Sequence, residues 1–368
     1  MPESTLGVGI IGVSPVRGWA ATAHIPALRA LPNYELRALS AHSPGSARAA
    51  GEVFGVSAVF TDHQQLMSQP GIDLVAVTVK VPHHRELVSA ALAAGKAVYC
   101  EWPLGRDLDD AQAMAALAAA QGVPTVVGLQ ARQAPAIQFV QQLLSDGYLG
   151  EVLSTTLVGL SVPGEVVVQA NAYMLDETNG ATLLTIAVGH SLDLLTYVLG
   201  EFAELSAVSA LRRPRITIQE TREQILKTAA DQIAVIGTLT SGVTASIHVR
   251  EAVAGGTGFL WEFNGTDGTL RITADAAVPG IVPLTVAGAH GRNEPAELAV
   301  PAALTQQWPA LTSLEGTPAD NVGRAYAGFA ADIENGTHTV PDFADAVRRH
   351  QVIAAIQRSA ASGERVKA

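Results

Sequence analysis

The 368 residues are 48 % hydrophobic and 15 % charged, with a net charge of −11. That much apolar material excludes a disordered chain and suggests two domains. The absence of a Lys/Arg-rich block argues against direct contact with nucleic acid or an anionic membrane. One cysteine, Cys100, rules out an intramolecular disulfide. No apolar run reaches the roughly 18 residues of a membrane span and no secretory leader is expected, so the sequence reads as a soluble, cytoplasmic protein.

The chain opens on an apolar run, Gly7 to Val13. It turns through Ser14, Pro15, Val16, Arg17 and Gly18, and enters an apolar-periodic segment with Ala23, Ile25, Ala27, Leu28 and Leu31. Strand, glycine-bearing turn and helix form the setting of a dinucleotide site, because the N–H groups at a helix start attract a pyrophosphate. The usual G-x-G-x-x-G is altered: Gly12 is in place, Ser14 holds the second glycine position, and the third glycine comes late, at Gly18. A plain buried strand–turn–helix is the competing reading of this stretch alone. The next strand, Glu35 to Ser40, continues into Ala41, His42, Ser43 and Pro44. In NAD-binding units an acidic residue ends this strand and binds the ribose 2′-hydroxyl. Its absence here favours NADP over NAD, unless His42 and Ser43 are ordinary loop residues.

Helix Ser46–Phe54, strand Val56–Phe60 and short helix Asp62–Ser68 follow. Ile72–Val79 is a continuous apolar run, patterned for a central parallel strand. It ends in Lys80, Val81, Pro82, His83 and His84, where both histidines, at a helix start, are expected to face solvent. That helix stops at Gly95. Strand Lys96–Glu101 leads into Trp102 and Pro103, a helix runs from Asp107 to Gly122 with acidic residues at its positive end, and Val123–Leu129 is another strand. This rhythm predicts an α/β fold, a Rossmann-type doubly wound parallel sheet over residues 1–130. Ligands bind such sheets at the carboxyl ends of the strands, which puts Lys80 and Glu101–Trp102–Pro103 at the mouth of a site.

Over residues 131–368 the rhythm changes. Helix Pro135–Asp146 is closed by Gly147, Glu151–Ser161 is strand-like, and helix Ala181–Leu199 is closed by Gly200. Strand-like runs follow at Glu204–Leu211, Gln232–Leu239, Val243–Val249, Phe259–Asn264 and Thr269–Thr273, with Thr266-Asp267-Gly268 as a hairpin turn. Pro279 to Pro318 reads as a surface excursion, and Asp320–Asn335 and Phe343–Ala361 as the last helices. The pattern predicts an α+β domain with a large open, mostly antiparallel sheet.

His190 and Asp193, three apart, share a helical face, with Tyr197 one turn on. A histidine near its ordinary pKa suits general acid–base work; a core histidine bonded to Asp193 is the alternative. Lys80 is either a desolvated base or the partner of Glu101 in a structural ion pair. Trp102 stacks on a ligand or covers the core. Asn171, Tyr173 and Asp176 line a substrate pocket or are polar loop residues. The ten histidines show no H-x-x-x-H pair and there is no cysteine ligand set, so no metal is expected. No G-x-S-x-G elbow or P-loop is present.

The first strand–loop–helix, FTDHQQLMSQPGIDLVAVTV, AALAAGKAVYCEWPL, VVGLQARQAPAI, the helix bearing His190 and Asp193, and GTDGTLRI together span almost the full length. On these segments the chain resembles the glucose–fructose oxidoreductase / inositol dehydrogenase / MocA family of NAD(P)-dependent enzymes. The resemblance implies a Rossmann domain, a second domain whose open sheet makes homodimer or homotetramer contacts, and hydride transfer on a sugar, polyol or related hydroxyl/carbonyl compound. Two family positions depart. Trp102 stands where the family's Glu-Lys-Pro has its lysine, and Ile186 stands four residues before His190, where the family has aspartate. General acid–base help is worth roughly 10²–10⁴-fold, so its loss calls for a substitute or another function. Val79-Lys80-Val81-Pro82, Glu101-Trp102, Leu129-Gln130-x-Arg132 and the loop from Gly12 to Trp19 resemble one branch, that of the fungal galactose-regulon repressor, which binds NAD(P) and holds a transcriptional activator.

The candidate cofactor set is Gly12, Ser14, Arg17, Gly18, Trp19, His42, Ser43, Lys80, Pro82, His83, Glu101, Trp102, Pro103 and Gln130. The candidate substrate set is Lys80, Trp102, Arg132, Tyr173, Asp176 and His190. For catalysis His190 is the acid/base, oriented by Asp193, and Lys80 replaces the missing lysine. Three functions fit: an oxidoreductase, a non-catalytic NAD(P)-binding regulator, or a redox-neutral NAD-dependent glycosidase or lyase.

Overall fold

Five of the six residues of β1 (Leu6–Ile11) are buried, as suits an apolar strand in the middle of a sheet covered on both faces. It pairs in parallel with β2 (Tyr34–Ser40) on one side and β4 (Leu74–Val77) on the other. β3 (Ala58–Phe60) lies beyond β2, and β5 (Ala97–Cys100) and β6 (Thr125–Val127) lie beyond β4, all parallel, in the order β3-β2-β1-β4-β5-β6. The order reverses between β1 and β4, the place where open α/β sheets form a ligand crevice at their carboxyl ends. The computed structural model describes residues 5–161, 165–251 and 258–368.

The helix after β1 begins as a π-wound turn, Ala20–His24, and continues as α1 (Ile25–Ala30). Polar side chains cap three of the next helices: Ser43 on α2 (Pro44–Phe54), Asp62 on α3 (His63–Met67) and Asp107 on α5 (Leu108–Gln121) each accept a bond from a first-turn N–H. Between the last two, α4 (His84–Ala93) links β4 to β5.

Contacts divide the chain into two compact units, Met1–Gln133 with Trp308–Val347, and Ala134–Gln307 with Arg348–Ala368. The sequence reading has two contiguous stretches instead, 1–130 and 131–368. The difference has a physical cause in helix Ala319–Asn335, α9 below. Its Val322, Ala325, Tyr326 and Phe329, at the i, i+3, i+4, i+7 spacing of one helical face, share a core with Val8, Ile10 and Leu28.

The second unit contains α6 (Pro135–Ser145) and α7 (Gly189–Leu199). Its large sheet is built from β7 (Val152–Ser161), β9 (Phe202–Ala210), β12 (Gln232–Leu239), β13 (Thr244–Glu251), β14 (Phe259–Gly265), β15 (Gly268–Ala274), β16 (Thr285–His290), β17 (Ala296–Glu297) and β18 (Val366–Lys367). The order is β17-β16-β15-β14-β7-β13-β12-β9-β18, antiparallel except for β7 with β13. A small sheet holds β8 (Val166–Val167), β10 (Arg215–Ile218) and β11 (Gln224–Leu226). Alternate residues point inward: Ala245, Ile247, Val249, Phe259, Trp261 and Phe263 are buried, and Trp261 Nε1 donates to Thr155 Oγ1 at 2.8 Å. On other strands Val208 and Ile236 are 63 % and 57 % exposed, so one face is open. The expected hairpin is present as the two-residue loop Thr266–Asp267. Residues 279–318 are more than an excursion: they contain β16, paired with β15, α8 (Ala302–Thr305), and Leu311, buried in the first unit's core. The Pro and Gly content hides that Val286 faces the interior. The chain closes with α9 (Ala319–Asn335) and α10 (Phe343–Ser362).

Candidate functional site

At the carboxyl ends of β1, β2 and β4 the first unit encloses a cavity of about 430 Å³. Gly12, Ser14, His42, Lys80 and His83 of the candidate set line it, with Ser40, Thr61, His63 and Thr78. The described residues lining it include no carboxylate, in a chain of net charge −11, and they include three histidines and a lysine. That composition suits an anionic ligand.

The turn is built for close approach. Gly12 has φ +103°, and a Cβ there would lie 2.8 Å from Val79 Cγ1 and 3.0 Å from the Thr78 carbonyl carbon. Gly18 has φ +102° but open space around it. Both are left-handed positions that favour glycine. The N–H groups of Gly12 and Val13 both donate to the Ser40 carbonyl, at 3.0 and 3.1 Å, so they hold β1 to β2 and are committed within the sheet. Arg17 is exposed. Trp19 Nε1, a donor, and Gln130 Oε1, an acceptor, are buried and have no hydrogen-bond partner among the described residues. Orphaned polar atoms of this kind call for a partner outside the chain or an explanation, and they fit a ligand that both accepts and donates.

Lys80 is exposed, so burial does not desolvate it into a base. The carboxylate expected beside it, Glu101, accepts instead from His24 Nε2 at 2.7 Å. Trp102 and Pro103 are buried at the end of β5. Of the two histidines expected in solvent, only His83 is exposed. His84 is 1 % exposed. Its Nδ1 lies 2.9 Å from the Pro103 carbonyl and its Nε2 3.0 Å from the Val79 carbonyl, so it ties the end of β4 to the segment after β5. Burial lowers its pKa against the pull of those carbonyls. Arg132, buried, pairs with Asp345 at 3.0 Å.

The other candidates lie in the second unit. His190 and Asp193 share α7, preceded by a π-wound turn, Leu184–Val188, that contains Ile186. Both are buried, and Asp193 Oδ1 lies 3.9 Å from Nε of the buried Arg349, which also bonds Glu201. Asp193 therefore has a counterion role in addition to any role toward His190. Asp176 is exposed and accepts from the Thr178 N–H and hydroxyl, which hold its carboxyl below the usual range. Tyr173 is half-buried, which raises its pKa.

Sequence reasoning missed His24 and Tyr326. His24 sits in an apolar helical stretch that reads as core, and Tyr326 lies 302 residues away. Among the described residues no three metal-ligating side chains come together, and no helix is long and apolar enough to cross a membrane.

A Rossmann sheet with a glycine-bearing turn, followed in the chain by a largely antiparallel sheet, defines a two-unit protein with the fold of the NAD-binding oxidoreductase family. The sequence model described as "Oxidoreductase family, NAD-binding Rossmann fold" matches residues 6–129, and that described as "Gal80p, C-terminal domain" matches residues 135–274. The chain belongs to the glucose–fructose oxidoreductase / inositol dehydrogenase / MocA family. It is 32 % identical over 348 residues to dehydrogenase aclE of Aspergillus oryzae, covering 90 % of this chain and 88 % of that one. It is 29 % identical to the D-apiose dehydrogenase of Paraburkholderia graminis, over 70 % of this chain and 66 % of that one. It is 27 % identical to the galactose/lactose metabolism regulatory protein GAL80 of Saccharomyces cerevisiae, over 73 % and 67 %. A super-repressor mutant of Gal80p from the same yeast has the same fold, with TM-score 0.87 at 23 % identity over 99 % of this chain and 98 % of that one.

Proposed function

We propose that the protein is an NAD(P)-dependent oxidoreductase acting on a sugar, polyol or related hydroxyl/carbonyl compound. The observation that carries this reading is the cavity beyond Gly12, walled by histidines and a lysine without a carboxylate. It suits a dinucleotide and, at His42, tolerates a 2′-phosphate, which favours NADP. The similarity to a D-apiose dehydrogenase supports the substrate class. Gly12, Ser14, Arg17, Gly18, Trp19, His42, Ser43, Lys80, Pro82, His83, Glu101, Trp102, Pro103 and Gln130 would hold the cofactor, which supplies the hydride chemistry. His190 holds or moves the substrate proton, Asp193 orients it, and Lys80 binds cofactor and substrate in place of the lysine lost at Trp102. Arg132, Tyr173 and Asp176 are further substrate contacts. The test is turnover of purified protein with NADP and NAD over a panel of sugars, polyols and ketones. His190→Ala should lower kcat by about 10²–10⁴-fold with cofactor affinity unchanged. Absence of turnover across the panel overturns the reading.

The match of residues 135–274 to the Gal80p C-terminal domain, together with Trp102, favours a second reading, a cofactor-binding regulatory protein without turnover. It requires a protein partner whose affinity for this chain changes with bound NAD(P).

A further inference from the structure

A second recess lies in the first unit, at the amino end of β6. It has a volume of about 440 Å³ and is lined by the end of α5, the end of α9 and the loop that leads into α10. It shares no lining residue with the cavity beyond Gly12, which sits at the carboxyl ends of the strands. Alanine makes the room. Ala115, Ala118 and Ala119 share one face of α5, three and four residues apart. Phe329 and Ile333, one turn apart on α9, and Phe343 at the start of α10 also line the recess. Its floor of Ala118, Phe329, Val340 and Phe343 is buried, while Ile333 at the rim is 45 % exposed.

The walls are held apart by a bonded frame. Asp332 accepts from the Thr337 hydroxyl at 2.6 Å, from the Thr339 N–H and hydroxyl at 2.8 and 3.0 Å, and from the Val340 N–H at 3.1 Å. Further along the loop, the Pro341 carbonyl accepts from the Val127 N–H of β6 at 2.9 Å, and the Phe343 N–H donates to Thr125 Oγ1 at 3.3 Å. The loop therefore cannot fold inward to fill the space without breaking its bonds to the sheet. Protein interiors pack closely, so an apolar recess kept open in this way has the character of a preformed ligand site. Its volume equals the liquid share of about fifteen waters, within the range of small-molecule pockets.

Charge narrows the occupant. The titratable groups lining the recess are Asp332, Asp342 and, exposed at the rim, His338; among the described residues no Lys or Arg does so. Burial raises the Asp332 pKa, but the hydrogen bonds from the loop outweigh it and hold the carboxyl below its ordinary range. Asp332 is therefore a fixed negative charge whose oxygens are taken by the loop. Asp342 is half-buried and differently placed. Its Oδ1 caps α10 by accepting from the Asp345 N–H at 2.9 Å, which leaves Oδ2 as an acceptor. An anionic ligand would meet two carboxylates here, whereas a cationic one meets a counterion beside apolar and aromatic walls. We propose that this recess binds a small aromatic or alicyclic amine, with its apolar body on Ala118, Phe329 and Phe343 and its ammonium on the Asp342 carboxylate. The site is separate from the dinucleotide cavity, and the inference stands without the dinucleotide reading.

The test is titration of the full-length protein with phenylbutylamine, phenylbutanol and phenylbutyrate, which share one apolar body and differ in charge. Binding is read from methyl NMR of alanine- and isoleucine-labelled protein. The Ala118 and Ile333 signals should shift with the amine, with a Kd on the order of 1 mM, as expected of a ligand of about ten non-hydrogen atoms. The alcohol should bind about twofold to fivefold more weakly, the effect of one partly exposed ion pair, and phenylbutyrate more weakly still. Asp342→Asn keeps a capping side chain and should abolish the difference between amine and alcohol. Ala119→Trp, at an exposed position of the lining, should weaken the amine by about tenfold or more while thermal unfolding stays close to wild type. If Ala119→Trp does not fold, Asp342→Asn still decides. The proposal is overturned if no probe moves these signals at about 10 mM, or if the alcohol or phenylbutyrate binds the wild type as well as the amine does. It is also overturned if the amine keeps its advantage in Asp342→Asn, or if a folded Ala119→Trp binds the amine normally.

Discussion

Gly12→Ala tests the turn that organises the first unit, with Gly18→Ala as its control. Both glycines have almost the same backbone, φ +103° and +102°. A side chain in such a conformation costs about 1–3 kcal/mol at either position. The surroundings differ. At Gly12 the new methyl meets Val79 Cγ1 at 2.8 Å and the backbone of Thr78 and Val79 at 3.0 Å. Val79 can rotate, but that backbone is pinned, since Thr78 N and Oγ1 both donate to the Ile11 carbonyl, at 3.0 and 2.9 Å. Overpacking of this kind adds about 1–3 kcal/mol. At Gly18 nothing lies within 4 Å, so only the backbone term applies. The alanine at 12 is accommodated by displacing the turn into the cavity. The excess of about 1–3 kcal/mol over the control then appears as about 5–150-fold weaker dinucleotide binding. Titration of both variants with NADH and NADPH, alongside thermal unfolding, measures it. Equal affinities for the two variants, or wild-type affinity in Gly12→Ala, would refute the close-approach argument.

His42→Asp places a carboxylate on the wall of the cavity. NADPH affinity should fall by about tenfold or more while NADH affinity holds, as expected of a charge acting on a 2′-phosphate; the same loss for both cofactors would show that His42 does not read the 2′ position. Asp110 gives a pH prediction. Its burial raises its pKa, but hydrogen bonds from Arg106 at 2.8 Å and Arg85 at 3.0 Å outweigh that and leave it below the ordinary value. A depressed carboxyl contributes stability that is present above its unfolded pKa of about 3.9 and is lost as pH falls through the folded value. Both guanidiniums are about half exposed, so screening keeps the contribution modest. In Asp110→Asn the Tm should be lower at neutral pH and its decline in acid shallower; an unchanged acid slope would assign the ion pairs no role in stability.

Much of the first unit was legible because its physics is local. β1 and β4 are apolar runs without alternation, as central parallel strands must be, and the acidic cluster from Asp107 marks the start of its helix. The antiparallel sheet was legible from two-residue alternation such as that of Thr244–Glu251. What escaped depends on partners distant in sequence. Nothing near Tyr326 signals that its helix joins the core built on Val8 and Ile10. His84 reads as a surface residue because histidine is polar. Only the fold brings the carbonyls of Val79 and Pro103 to its two nitrogens. The same holds for His24, whose role is visible only once Glu101 and Tyr326 are placed on either side of it.

The departures from the family then acquire a physical meaning. The indole at Trp102 cannot hold or deliver a proton as the family's lysine does, and it is buried. The neighbouring carboxylate of Glu101 has one oxygen committed to His24. In the oxidoreductase reading proposed above, acid–base work is assigned to His190. It follows that cofactor binding cannot separate an enzyme from a regulator in this branch, because both readings use the same turn, the same histidine-walled cavity and the same Glu101. The two diverge at one residue. Substituting His190 lowers kcat by about 10²–10⁴-fold in an oxidoreductase and leaves a cofactor-dependent partner contact untouched in a regulator.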